Sequence, residues 1–200
     1  MVSLVLASID IKLIYILAAA ILIAGLFLSL PVLHMFLFET NIARLEKYLS
    51  KQRKKSHMYL YYAIANRRDE EIEHLFQHML SKYKQPQRQA LYKVMYDLYH
   101  KDAASMKKQL PHIHSEKYRN YYEAFVHLEE GNLELARATA AKAAKPWMRD
   151  ALLYELEMRA GNRHKAAALA RQSLDSCKGI QRYIMYKNYE RELPEALTGA

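Results

Sequence analysis

From residue 13 to residue 38 the chain carries no formal charge and reads LIYILAAAILIAGLFLSLPVLHMFLF. As a helix rising about 1.5 Å per residue, this run is roughly 39 Å long, enough to cross a ~30 Å hydrocarbon core with some tilt. A core helix of a globular protein would keep one polar face, and this run keeps none. The pattern predicts a transmembrane helix over 13–38, with Pro31 kinking it or marking its exit from the lipid. Beyond it the pattern changes. Apolar residues recur every three or four positions, strand-like alternation is absent, and good helix formers prevail. Breaks fall at Asn66-Arg67, Lys101-Asp102, Gly131-Asn132 and Gly161-Asn162. They predict four helical hairpins, a final helix over 180–193 that ends before Pro194, and a frayed tail over 194–200.

Composition narrows the class. With 5 Gly and 5 Pro in 200 residues, collagen, a flexible linker protein and an all-β sandwich with frequent turns are excluded. A single cysteine, Cys177, leaves no intramolecular disulfide framework and no thiolate zinc cluster. Residues 1–10 hold no Lys or Arg, and the apolar run is too long for a signal peptide, so an uncleaved anchor is expected.

The flanks of the span set its orientation. Asp10 and Lys12 cancel before it, whereas Arg44, Lys47, Lys51, Arg53, Lys54 and Lys55 follow it against Glu39 and Glu46. Lys and Arg stay on the cytoplasmic side. The expectation is a single-pass protein of the cell membrane, with a short extracytoplasmic segment (1–12) and a cytoplasmic C-terminal part. The missing N-x-Ser/Thr sites and the lone cysteine agree with this. Residues 39–55 are expected to continue the membrane helix as a basic juxtamembrane stalk or to turn directly into the array, and their six cations to contact anionic lipid headgroups as well.

The last two hairpins align. YEAFVHLEEGNLELARATAAKA and LLYELEMRAGNRHKAAALARQS each hold a helix, a Gly-Asn turn and an Ala-rich helix. Gly suits a left-handed C-cap and Asn an N-cap. Ala136, Ala140 and Ala143 recur as Ala166, Ala170 and Ser173. A period of roughly 30–35 residues built as helix–turn–helix is a solenoid signature. The array resembles the tetratricopeptide-repeat (TPR) family, strongly over 118–174 and weakly over 56–118. Ala124 and Ala136 match the family's small-residue pair, and Tyr154 departs from it. The resemblance implies an all-α fold: an N-terminal transmembrane helix, then a right-handed TPR-like α-solenoid over 56–193 with a C-terminal capping helix.

Candidate chemistry is thin. His74 and His78, four apart with Glu70 and Glu71 one turn back, could hold a metal, but HLFQH lacks the general-base Glu of HExxH. A packing role for His78, beside Leu75 and Met79, is the plainer reading. Cys177 has Lys178 beside it, which could lower a thiol pKa, but no His partner is in view. Phosphate-binding glycine loops are absent. The 16 tyrosines carry more information, because a phenol joins an apolar ring to a polar tip. In TPR-like arrays the first helix of each pair lines the concave face. The resemblance therefore implies that Tyr62, Arg88, Tyr92, Tyr96, Arg119, Tyr122 and Tyr154 form a partner-binding groove. The formal net charge of +9 is partly spent on topology, and IANRRDEEIEH reads as a solvated face. The leading expectation is a membrane-anchored protein-interaction scaffold that binds a protein partner without an enzymatic step or cofactor. A nucleic-acid or anionic-lipid binder using the basic face is the second reading, nucleic acid being the less favoured, and a metal enzyme using His74 and His78 the third.

Overall fold

The computed structural model describes residues 2–198, apart from the side chains of 2–13 and 28. Residues 1, 199 and 200, at the ends of the expected N-terminal and tail segments, lie outside the described residues. Every regular element described is helical. Helix α1 (Val2–Leu37) takes in the predicted span and most of the segment before it, running through Pro31 without a break. Its described apolar side chains from Ile14 to Leu30 are exposed. It is the one described helix long and apolar enough to cross a membrane.

Of the two courses expected for 39–55, the chain follows the turn into the array. The backbone breaks at Glu39 and Thr40 and folds into α2 (Ile42–Ser50), capped by the Asn41 side chain accepting from Arg44 N–H. Spacing in IARLEKYLS puts Leu45 and Leu49 one turn apart, and both are 0% exposed. They pack on Ala65, Ile180 and Tyr183. Residues 42–50 are therefore part of the folded body.

Four hairpins follow: α3 (Ser56–Ala65) with α4 (Asp69–Lys82), α5 (Pro86–Tyr99) with α6 (Ala103–Gln109), α7 (Glu116–Glu129) with α8 (Leu133–Ala140), and α9 (Pro146–Arg159) with α10 (Arg163–Asp175). One motif makes all four turns. Arg67, Lys101, Gly131 and Gly161 take φ of 52°, 58°, 78° and 76°. In each turn the next N–H bonds back to a carbonyl five residues earlier: Arg68 to Ala63, Asp102 to Asp97, Asn132 to His127 and Asn162 to Glu157. This is the Schellman closure, which satisfies otherwise orphaned carbonyls at a helix end. Gly adopts the left-handed conformation freely, whereas Arg67 and Lys101 carry a cost of about 1–2 kcal/mol each.

Helix α11 (Gly179–Glu192) completes the body. It was expected to cap an open stack. It packs on α10 behind it and on α1, α2 and α3 at the front, so the succession of helices meets itself. Lys187 pairs with Glu46 at 3.4 Å, Asn66 Nδ2 donates to the Tyr183 hydroxyl at 2.8 Å, and Arg191 donates to the Ala65 carbonyl at 3.2 Å. Five buried clusters sit between successive helix pairs and between α11 and the α2–α3 start. The alanines do what their spacing implies. Ala124, Ala136 and Ala140 are buried together between α7 and α8. In the last pair the Tyr154 ring turns instead toward Tyr189, with centroids 4.6 Å apart. The tail is ordered as far as it is described: Pro194–Ala196 forms a 3-10 turn, Ala196 is buried, and Arg171 donates to the carbonyls of Glu195 and Ala196.

Candidate functional site: the central cavity

Short connections make sequential helices antiparallel, so α3, α5, α7, α9 and α11 run in one direction, with α4, α6, α8 and α10 returning outside them. Between these five helices lies a cavity of about 720 Å³. Every residue lining it comes from those five helices or from a connector beside them. Its size falls in the range of ligand pockets.

Its wall is aromatic. Tyr83 and Tyr92 stack at 5.6 Å with Arg88 5.1 Å above the Tyr83 ring. Tyr121 meets Phe125 and Trp147 edge-on at 5.1 and 5.9 Å. Burial raises the Tyr121 and Tyr122 phenols far above the ordinary range, so they stay protonated and serve as neutral hydrogen-bonding groups. Of the groove residues the resemblance implies, Arg88, Tyr92, Tyr122 and Tyr154 line the cavity. Tyr62, Tyr96 and Arg119 are not in its wall. Tyr62 stacks on Tyr59 at 5.4 Å beneath Arg68. Tyr96 meets Phe76 edge-on and donates to Glu73 at 2.6 Å. Tyr61, Tyr121, Trp147, Glu155 and Tyr189 also line the wall, outside the expected groove set. The spacing of Trp147, Ala151, Tyr154/Glu155 and Arg159 is an inner-face signal, whereas Tyr189 sits on the helix expected only as a cap.

Glu155 is the chemically distinctive group. Desolvation pushes its carboxyl up to about 7, against the partial offset of Arg159 and Lys101, while Glu129 and Glu192 add to the rise. Near neutral pH it is half-protonated, able to donate or to accept. Because the folded form holds the proton more tightly than the unfolded chain, stability falls as pH rises from about 4.5 to about 7 and then levels off. Glu155→Gln is expected to raise the unfolding midpoint at pH 8, worth up to about 3 kcal/mol, with no gain at pH 4. Thermal unfolding at the two pH values in detergent micelles measures this. Equal shifts at both would show that Glu155 is not desolvated.

The other expected centres separate. His74 and His78 are both exposed on α4, so His78 does not share the seam that Leu75, Phe76 and Met79 make. Among the described residues no three His, Cys, Asp or Glu groups come together as a metal cluster. The Cys177 thiol is buried against the Leu174 carbonyl and Met185. Burial pushes it up to about 12, so it stays protonated and is not the activated thiol that Lys178 could have made. Of the six basic residues after the span, Arg53 is drawn toward Glu71 (3.4 Å) and the Tyr59 hydroxyl. Arg44 pairs with Glu39 at 3.8 Å, and Lys47, Lys51, Lys54 and Lys55 are exposed. The Glu39 carboxyl is held below the usual range by the backbone N–H groups of Asn41 and Thr40 and by Arg44. Comparison with known proteins returns no matching family model, no matching curated protein and no matching solved structure.

Proposed function

We propose that this protein is a single-pass membrane-anchored interaction scaffold. Residues 13–38 span the bilayer with the N-terminus outside, and the helical body stands in the cytoplasm as a right-handed TPR-like array. The observation that carries the reading is the bare apolar helix α1 joined through a bonded seam to a helical body that surrounds an aromatic cavity. A lone apolar helix of that length has no stable place in water. The shared turn geometry of the four hairpins supports the repeat reading. Within it the cavity receives an apolar side-chain segment of a protein partner: the tyrosine rings bury it and their hydroxyls, with Glu155, meet its backbone.

A photo-crosslinking residue placed at Tyr92, inside the cavity, or at His74, on the outer face, tests the reading in intact membranes. Adducts with one protein are expected at position 92 and not at 74. Equal labelling from both positions, or none from 92, would discard the cavity as the binding site. Reporter fusions at the C-terminus test the topology: a reporter that works only in the cytoplasm should be active there, and silence would invert the orientation.

A further inference from the structure

The alternation of connections divides the charge of the body between its two ends. At one end lie the four hairpin turns and the C-terminus of α11; at the other lie the links from each pair to the next. The linking end is basic. The α4–α5 link and its flanks carry Lys82, Lys84 and Arg88 with no acid. Around the α6–α7 link, Lys108, Lys117 and Arg119 stand with Glu116 as the one acid, while Lys107 reaches away to pair with Glu130 at 3.1 Å. Lys142, Lys145 and Arg149 face Asp150 at the α8–α9 link, and Lys178 and Arg182 face Asp175 at the α10–α11 link. Lys51, Lys54 and Lys55 stand in the α2–α3 link. The turn end is mixed: Asp69, Glu70 and Glu71 follow Arg67 and Arg68, and Glu129, Glu130 and Glu134 surround the third turn.

The anchor joins the body at the basic end. Gly179, the first residue of α11 and next to the α10–α11 link, donates to the Glu39 carbonyl at 2.7 Å. A Cβ on Gly179 would overlap the Phe36 carbonyl, so the last turn of α1 touches that link directly. Tyr118, one of three large apolar side chains exposed beyond α1 among the described residues (with Phe38 and Leu135), also stands in the first turn of an inner helix at this end. Basic residues with an amphipathic aromatic are the composition that suits a headgroup layer.

We propose that the whole linking end of the body, not only the segment after the span, lies on the anionic leaflet of the membrane that holds α1, leaving the turn end of the cavity as the entrance for a partner. This rests on the anchor reading and is independent of what the cavity binds. Each basic side chain near an anionic surface adds about 1 kcal/mol, and the attraction fades when the Debye length shrinks to ~3 Å at 1 M salt. The cations on the four later links therefore make the body lie down on an anionic leaflet and let it swing free on a neutral one.

The test uses the full chain in vesicles, with Cys177→Ala and a single donor dye on either Ala144→Cys, at the linking end, or Ala160→Cys, at the turn end. The acceptor is a headgroup dye in the bilayer. The dye at 144 is expected to show about twofold higher energy transfer in phosphatidylcholine–phosphatidylglycerol vesicles than in phosphatidylcholine alone, an excess lost at 1 M salt. The dye at 160 is expected to stay far from the bilayer in both. The joint change Lys84→Glu, Lys108→Glu, Lys145→Glu and Lys178→Glu, all exposed positions, should abolish the excess without lowering the melting temperature. Transfer that ignores lipid charge, or that is higher from 160 than from 144, overturns the proposal. So does specific RNA binding by the vesicle-held protein at physiological salt that the four reversals abolish. Release of the wild-type chain from vesicles by carbonate would instead refute the anchor, a result separable from the dye distances.

Discussion

Gly179→Val is expected to undock α1 from the body. Gly179 sits at φ +60°, where an L side chain is strained, and a Cβ there would overlap the Phe36 backbone. Neither neighbour can yield by a rotamer change, because both are main chain. The left-handed cost of about 1–2 kcal/mol adds to an overpacking cost of roughly 1–3. The seam bond from Gly179 N–H to Glu39 would be lost with it. Gly179→Val should lower stability by about 3 kcal/mol or more, read by denaturant unfolding in micelles, and should open residues 38–42 to protease. Gly131→Ala is the control: φ is +78° there too, but no atom lies within 4 Å of the added carbon. It should cost only the backbone strain and leave the seam protected. Equal effects at the two sites would show that contact with α1 does not matter.

Tyr183→Ala is expected to cost about 3–5 kcal/mol, the range for removing a buried aromatic side chain. Tyr183 is 0% exposed and packs among Leu45, Leu49, Ala65 and Ile180, where the last helix meets the first hairpin. Its hydroxyl accepts from Asn66 at 2.8 Å, and desolvation keeps the phenol protonated. Tyr183→Phe separates the two contributions. Asn66 keeps its second bond, to the Tyr62 carbonyl at 2.8 Å, so the phenylalanine variant should lose only about 1 kcal/mol. Calorimetry of both variants, with amide exchange at α3 and α11, reads the outcome. The alanine variant should expose both helices to exchange. If only α11 exchanged faster, the closure would be a one-sided cap.

Much of this architecture is legible along the chain. The charge-free run over 13–38 marks the bare helix because length and apolarity are local properties. The breaks at 66, 101, 131 and 161 mark the hairpin turns because each needs a left-handed residue and a helix start beside it. The same geometry at Arg67 and Lys101 is harder to see, since neither is a glycine. Of the seven residues expected along a groove, Arg88, Tyr92, Tyr122 and Tyr154 stand in the cavity wall, and Tyr62, Tyr96 and Arg119 do not. Tyr62 and Tyr96 lie outside the wall for one reason. A tyrosine on the right helix can point inward or toward the return helix, and a shift of about 100° per residue decides which.

Local pattern, then, dictates where the helices begin and end, which of them is too greasy for water, and how the basic residues alternate with the turns. It does not dictate closure. Whether the last helix caps a stack or bonds to the first hairpin depends on small rotations added over four pairs, which no single segment encodes. That sum brings Tyr183 to Asn66, Lys187 to Glu46 and Gly179 to Glu39. It also places Glu155 in a cavity that desolvates it, and gathers the scattered lysines onto the end where α1 meets the body.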